Sequence, residues 1–579
     1  PRLTQVGAFR NGTLIGHKRD EPLEYVGIRY GGYYTQDEVR EVVAHAARRF
    51  VTVVPEIEMP GHSMAALAAY PELACTPGPF EVATIWGVKR DIYCPKEETF
   101  AFLEDVLTEV MDIFPSPYIH IGGDEAPKDR WEESEVAQAV MEREGLADEH
   151  ELQSWFIRRI EAFLNDHGRS LMGWDEILEG GLAPNATVMS WRGMEGGIQA
   201  AREGHDVVMT PTSHVYFDYY QGDTIQEPLA IGGLATLETV YDFEPVPPDL
   251  SAGDGAHVLG AQGNVWTEYM KTAEYVEYMV LPRMLALSEV VWSPKERRDW
   301  IGFSRRLPTH LSRLDRWEVN YRIPDVSGLE EGGLTLGDSV VVSLAAPVSG
   351  DILYSLDGNE PDPGSPRYQS PLVLPVDRAG TTVAGRVLLP DGRTGAVRQA
   401  RFAKTDLLSA VRLPITGRIR GLSVRGFRGD FSSVDSLETG GSIALPHEEE
   451  SERRWGSPSG GVPSVPRVGV PRGTPQTGFG LTLSGFIRVP RQGIYTFYLS
   501  SDDGSRLEIG GRVVVDHDGY HSQSVKTGQV GLRRGWHPIS VRYFQGGGGM
   551  ALGLEVEGPG VSRRDVPAHW LAHRPDEAR

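Results

Sequence analysis

The sequence predicts a multidomain protein: a (β/α) barrel-type domain over roughly the first 320 residues, followed by two all-β sandwiches. Three observations carry this expectation. At 579 residues the chain is several times an ordinary domain, so more than one core is expected. The first part alternates apolar, β-branched runs with amphipathic helical segments, the pattern of a parallel sheet. The second part consists of short alternating strands punctuated by Gly, Pro and Asp turns.

In the first part, six segments read as buried strands: FVTVVPEIEM (50–59), PYIHIGGDE (117–125), SLMGWDEI (170–177), ATVMSWRG (186–193), DVVMTPTSHVYFD (206–218) and HVLGAQGNVWTE (257–268). Each carries its polar or aromatic residues at the C-terminal end, where a (β/α) barrel gathers its functional groups. Helical periodicity lies between them over 35–49, 97–114, 151–168 and 196–204. The segment PRMLALSEVVWSP and a helix over 297–316 end this part. From about 330 to 405, SVVVSLAAP, DILYSLDGNEP and TTVAGRVLLPDG read as a small β-sandwich. A second all-β unit runs from about 415 to 571, interrupted by a Ser/Gly/Pro/Glu-rich loop or linker at 436–478. The expected domain limits are 1–325, 326–408 and 409–579.

Composition excludes several partners. A net charge of −23 without any Lys/Arg block argues against a phosphate backbone, hence against nucleic acid. No stretch approaches the ~18 apolar residues of a membrane span, and the N-terminus lacks a signal-peptide pattern. Starting at Pro1, the chain suggests a processed or truncated start. Two cysteines, Cys75 and Cys94, permit one disulfide or a pair of reduced thiols, and no zinc motif exists. No cofactor is implied.

The chemistry is placed at Asp124 and Glu125, where a strand ends in Gly122-Gly123. The glycines let the backbone turn, so neighbouring carboxyls can face one pocket, one protonated as general acid and the other ionised as charge stabiliser. The same dipeptide also suits a helix N-terminus. Trp174, Trp191 and Trp266 each end a different strand segment; single tryptophans there belong to cores, but three at corresponding ends suit a pocket wall. In the last unit, Asp502 and Asp503 suit either a structural D-D-G turn or calcium, with Asp516 and Asp518 as further oxygen donors.

These motifs, together with PRLTQVGAFR, GGYYTQDEVREVVAHAARRF, PEIEMPGH, GWDE, SWRG, VYFD and QGNVWTE, resemble the catalytic domain of glycoside hydrolase family 20, the β-N-acetylhexosaminidases. Residues 330–405 resemble the immunoglobulin-like domain of chitobiase-type enzymes, and 415–571 a protective-antigen-type sandwich, through YTFYLSSDDGSRLEIGGRVVVDHDG and GWHPISVRYFQGGGG. The resemblance implies a retaining exo-glycosidase in which the substrate's 2-acetamido carbonyl attacks C1. In it Glu125 is the acid and base, Asp124 holds the acetamido N–H, and Tyr216 donates to the acetamido oxygen. Trp174, Trp191 and Trp266 would wall the pocket, Asp218 and Glu268 would bind sugar hydroxyls, and His62 and His120 would support the acids. Glu58, Asp175 and Glu176 stand in the motifs without an assigned role.

The resemblance further implies a (β/α)8 TIM-barrel-type domain lacking its first two βα units, about six strands of the eight. Arg10 and Arg29 are then candidates to replace a missing sugar-binding arginine, and homodimerisation is one way to cover the open sheet edges. The partners implied are N-acetylhexosamine-containing oligosaccharides or glycans, and the location periplasmic, secreted or cell-surface. A second reading is a catalytically impaired homologue that binds carbohydrate through its C-terminal domain. Turnover of a chromogenic N-acetylglucosaminide separates the two.

Overall fold

The computed structural model describes residues 1–329, 332–413, 419–443, 464–471, 473–521, 523–547 and 549–574. The centre of the expected linker, 444–463, lies outside them. The chain forms two compact units. The first comprises Pro1–Phe217, Asp242–Lys271 and Leu287–Glu296, and the second Asp218–Tyr241, Thr272–Ala286 and Arg297–Arg579.

The first unit is built on an all-parallel five-stranded sheet. Its strands β1 (Tyr118–His120), β2 (Ser170–Trp174), β3 (Thr187–Ser190), β4 (Val207–Met209) and β5 (Val258–Ala261) pair in chain order. The 50–59 segment forms no ladder, but it joins β1 through a parallel bridge from Glu56 to His120, with His120 N–H donating to Pro55 and Ile57 N–H to His120. All six expected segments therefore contribute in the expected order. They are shorter than the apolar runs suggested. In 206–218, Pro211 precedes a helical turn, Thr212–Val215, so Tyr216 is placed by an isolated bridge to Asn264 rather than by a continuous strand.

Helices α1 (Gln36–Ala47), α2 (Glu97–Ile113), α3 (Glu149–Asp166) and α4 (Glu195–Arg202) lie where the periodicity predicts them. Thr35 and Glu38 close a capping box on α1, and Asp148 accepts the N–H groups of His150 and Glu151 at the start of α3. Phe100 and Leu103 of α2 and Phe156 and Ile160 of α3 are fully buried or nearly so, as are Ile119, Leu171, Val188 and Val207 of the sheet. Burying each of these side chains is worth about 1.5–3 kcal/mol. Helix α1, by contrast, buries no residue, and Phe50, at 99% exposure, and Trp292, at 88%, stand open to solvent.

Cys75 and Cys94 form a disulfide that closes a loop after the 50–59 segment. A loop of this length removes about 3 kcal/mol of chain entropy from the unfolded state.

The second unit is β-rich. Residues 333–404 form a four-stranded sheet, which includes Asp351–Ser355, Thr381–Leu388 and Arg398–Lys404, and a two-stranded sheet pairing Ser339–Val342 with Leu372–Pro375. Residues 419–573 form a nine-stranded and a four-stranded sheet around a core that includes Leu483, Phe497, Leu507, Val541 and Tyr543. No helix among the described residues is long and apolar enough to cross a membrane.

Candidate active site

The C-terminal end of β1 turns at Gly122 and Gly123, which have φ of 70° and 91°. A Cβ at Gly122 would lie 1.8 Å from Glu58 Oε2, so no side chain fits there. Gln153 donates to the Gly123 carbonyl (2.7 Å) and accepts from Lys128, which pins the turn. Beyond it, Glu125 holds a φ of 45° without being glycine, and so does His62. Each costs on the order of 1–2 kcal/mol, and such strain collects where function requires a particular side-chain direction.

That direction brings three groups together. His62 Nε2 lies 3.4 Å from Asp124 Oδ2 and 3.3 Å from Glu125 Oε2. Hydrogen bonds to Asp124 first and Glu125 second raise the His62 pKa to about 10, so the imidazolium bridges both acids at neutral pH. Among the described residues these three form the one cluster with metal-ligand spacing. A protonated imidazole, however, has no lone pair to offer a metal. Asp124 Oδ1 is buried and has no hydrogen-bond partner among the described residues. It is a buried acceptor without a donor, a state that costs free energy until one is supplied.

Two further acids are linked to this cluster by charge: Glu58, which stood in the sequence motifs without a role, and Glu56, which the sequence did not single out. Burial, then the charges of Asp124 and Glu56, push the Glu58 carboxyl up to about 9, so it is neutral at pH 7. Burial is the largest single effect on Glu56 and raises it, but the hydrogen bond and charge of His120 together with hydrogen bonds to Glu58 and Trp174 outweigh it and hold Glu56 below the usual range. Glu56 Oε1 lies 3.2 Å from His120 Nδ1 and accepts the Trp174 indole N–H (2.9 Å). His120 is buried, and its ring meets Trp174 edge-on at 4.9 Å.

The tryptophans share one cluster. Trp174 packs with Met172 and Met189, and Trp191 and Trp266 lie against them. Trp174 and Trp266 are 5.9 Å apart, and Trp191 stands 6.4 Å from the Tyr216 ring. Trp191 donates its indole N–H to Glu176 (2.8 Å), a carboxyl that burial raises to about 8 although Arg192 opposes the shift. Arg192 in turn donates to Asp175 (3.0 Å) and Glu179 (2.8 Å). Asp175, Glu179 and Arg192, with Glu195 and Gln199, line a pocket of about 450 Å³ to which the tryptophans do not contribute. Glu268 is exposed. Asp218 is buried in the second unit, where its charge acts on the fully buried Arg283.

Other candidates are engaged elsewhere. Arg10 lies over the Tyr30 ring and donates to Thr13, and Arg29 lies over Phe9. Asp502 and Asp503 are buried and accept backbone N–H groups, from Gln523 at 2.9 Å and from Gly546 at 2.9 Å. The further calcium donors do not join them: Asp516 pairs with Arg506 at 3.2 Å, and Asp518 accepts from Ser433 and the Val434 N–H.

The His62 bridge fixes a pH dependence. Because its pKa is raised on folding, its stabilisation is complete below about pH 6.5 and is lost as pH rises through about 10. Discounted for partial exposure, this amounts to roughly 1–3 kcal/mol. Urea midpoints across that window should fall more for the wild type than for His62→Phe; parallel curves would show that the bridge carries no such energy.

Two carboxyls, a charged histidine and an aromatic cluster at the C-terminal end of a parallel sheet are an arrangement that suits hydrolysis of a glycosidic bond. Residues 1–295 match the model of glycosyl hydrolase family 20, catalytic domain, and residues 470–570 match the PA14 domain. The chain belongs to glycosyl hydrolase family 20. It is 40% identical to a β-hexosaminidase of Porphyromonas gingivalis, over 94% of this chain and 68% of that protein. To a β-hexosaminidase of Akkermansia muciniphila it is 35% identical, over 52% of this chain and 62% of that one. To one of Vibrio furnissii it is 36% identical, over 50% of this chain and 48% of that protein, so it spans about half to two thirds of these relatives. A solved β-N-acetylhexosaminidase structure superposes with a TM-score of 0.50 at 31% identity, covering 55% of this chain and 67% of that one.

Proposed function

We propose that this chain is an exo-acting, retaining β-N-acetylhexosaminidase that removes terminal N-acetylglucosamine or N-acetylgalactosamine by substrate-assisted catalysis. The observation that carries this reading is the buried, unpartnered Oδ1 of Asp124. An acetamido N–H supplies the donor this oxygen lacks, and the match of residues 1–295 to the family 20 catalytic domain favours this use of it over direct attack by the carboxylate.

In the first step the acetamido carbonyl oxygen attacks C1 as Glu125 protonates the leaving oxygen, forming an oxazolinium ion and releasing the aglycone. Asp124 stabilises that cation, and the Tyr216 hydroxyl donates to the acetamido oxygen. Glu125 then takes a proton from water, which attacks C1 from the face the aglycone left and reopens the ring with overall retention. Trp174, Trp191 and Trp266 enclose the sugar face and the acetamido methyl, and Glu268 binds a hydroxyl. His62 holds the two acids, and His120 orients Glu56 and, through it, Trp174.

The layout that accompanies this reading is a catalytic (β/α) domain at 1–325, an immunoglobulin-like sandwich at 326–408 and a protective-antigen-type sandwich at 409–579. The disulfide supports a periplasmic, secreted or cell-surface location. Homodimerisation would cover exposed apolar residues such as Phe50 and Trp292, and light scattering tests it. For the chemistry, a thiazoline analogue of the intermediate should inhibit at least 10²-fold more tightly than free N-acetylglucosamine, and plain β-glucosides should hardly react. Efficient glucoside hydrolysis through a trapped glycosyl-enzyme would sink the mechanism.

A further inference from the structure

The acid pair sits on a stretch of main chain with few ties of its own. Gly122 is the last residue held by the sheet, its carbonyl accepting the Trp174 N–H at 2.9 Å. A helical turn starts after Lys128, whose carbonyl accepts the Trp131 N–H at 2.8 Å. Between them, the main chain of 123–127 takes part in two hydrogen bonds among the described residues, one on each side of the acids. Gln153 donates to the Gly123 carbonyl (2.7 Å), and the Lys128 ammonium donates to the Ala126 carbonyl (2.7 Å). Lys128 also donates to the side-chain oxygen of Gln153. The bonds therefore form one chain, which runs from Gly123 through Gln153 and Lys128 to Ala126. It spans Asp124 and Glu125 as a clasp and fastens them to α3, where Gln153 is buried.

Packing adds a second restraint. A Cβ at Gly61 would lie 2.9 Å from the Asp124 carbonyl oxygen and 3.3 Å from the Ala126 Cα, so the turn that carries His62 abuts the main chain of the acid pair directly. Glu125 keeps its φ of 45° within this frame, a conformation that an untied main chain would leave. Lys128 is a costly residue to place there. Burial lowers its pKa to about 8, against the charges of Glu179, Glu176 and Glu149, and no carboxylate lies within ion-pair distance of it among the described residues. A side chain needed only to fill the space would be apolar.

We propose that Lys128 and Gln153 are positioning residues for the acid–base step: their clasp across the 123–126 main chain holds Glu125 in its strained conformation and so aims its carboxyl at the leaving oxygen. This rests on the reading of Glu125 as the acid of an N-acetylhexosaminidase. Neither side chain has to touch the substrate. The links are in series, so cutting either one releases the turn.

The test measures kcat and KM for the wild type, Lys128→Met, Gln153→Met and the double variant, on an N-acetylglucosaminyl disaccharide and on a nitrophenyl N-acetylglucosaminide. A small displacement of the acid should lower kcat about 30-fold on the disaccharide and about 3-fold on the aryl substrate, with KM nearly unchanged. Only the sugar alkoxide has to be protonated as it leaves. The double variant should lose as much as either single variant rather than their product, as links in series require. Equal losses on both substrates, or losses that multiply, overturn the proposal, because either describes general damage to the domain. The His62 imidazole, followed by NMR, gives a readout independent of turnover. Release of Glu125 removes one of its two hydrogen bonds, so it should titrate below about 10 in each variant, and an unchanged titration also overturns the proposal. If the wild type turns over neither substrate, the hydrolase reading falls, and the His62 titration still decides whether the clasp holds the acids. Should a methionine variant fail to fold, Gln153→Glu decides by the same readouts, since it keeps an acceptor for Lys128 and loses the donor to Gly123.

Discussion

Glu125→Gln should lower kcat/KM on an unactivated N-acetylglucosaminyl disaccharide by about 10³–10⁴-fold, and on an aryl glycoside with an acidic phenol leaving group by only about 10-fold in the first step. The difference follows from chemistry. A sugar alkoxide cannot leave unprotonated, whereas a nitrophenolate can. Glutamine preserves the shape of the side chain but donates no proton. Because the φ of 45° at Glu125 is a property of the backbone, the isosteric change should leave the turn intact. Circular dichroism and the thermal midpoint should therefore match the wild type. A pre-steady-state burst with the aryl substrate would show the second step, in which Glu125 serves as base, becoming slow. Equal losses on both substrates, with the fold preserved, would remove the acid role.

Much of this site was legible in the sequence because strand ends announce themselves. Gly122 and Gly123 before the acid pair marked the turn, and tryptophans after short apolar runs marked an aromatic cluster. The supporting acids were less visible, although a signal existed. Glu56 and Glu58 are two residues apart in a strand-like segment, which puts both on one face, and Glu176 follows Trp174 by the same interval. What hid their role is that alternation gives a side chain's direction but not its partner. Only the fold shows that Glu56 meets His120 and Trp174, and that Glu176 meets Trp191.

The same gap explains one departure from the expected strands and one choice between alternatives that the sequence left open. The run from 206 to 218 looks like one strand by composition, yet Pro211 has no N–H to continue a ladder and the chain turns helical. Asp516 looked available as a cation ligand. It lies directly opposite Arg506 in an antiparallel pair, and a cross-strand ion pair is a cheaper use of that carboxylate than a metal.

Asp124→Asn should reduce kcat/KM on N-acetylglucosaminides by about 10²–10³-fold while leaving the slow hydrolysis of the matching 2-hydroxy glucoside nearly unchanged. The asparagine amide keeps the volume but loses the negative charge that faces the oxazolinium ion. If its NH₂ turns toward the acetamido N–H, two donors oppose each other across a buried gap. The penalty exists only when the substrate carries the amide, so the ratio of the two rates isolates the contact from any general damage to the pocket. Thiazoline affinity should fall in parallel with kcat/KM, because the analogue carries the same developing charge. His62 sharpens the expectation. With Asp124 neutral it loses the larger of the two hydrogen bonds that raise its pKa, so it should titrate below about 10 and closer to neutrality. An NMR titration of the imidazole can follow this. Were the glucoside and the N-acetylglucosaminide to suffer equally, Asp124 would be acting on the sugar ring or on the fold, and the internal amide would not be the nucleophile.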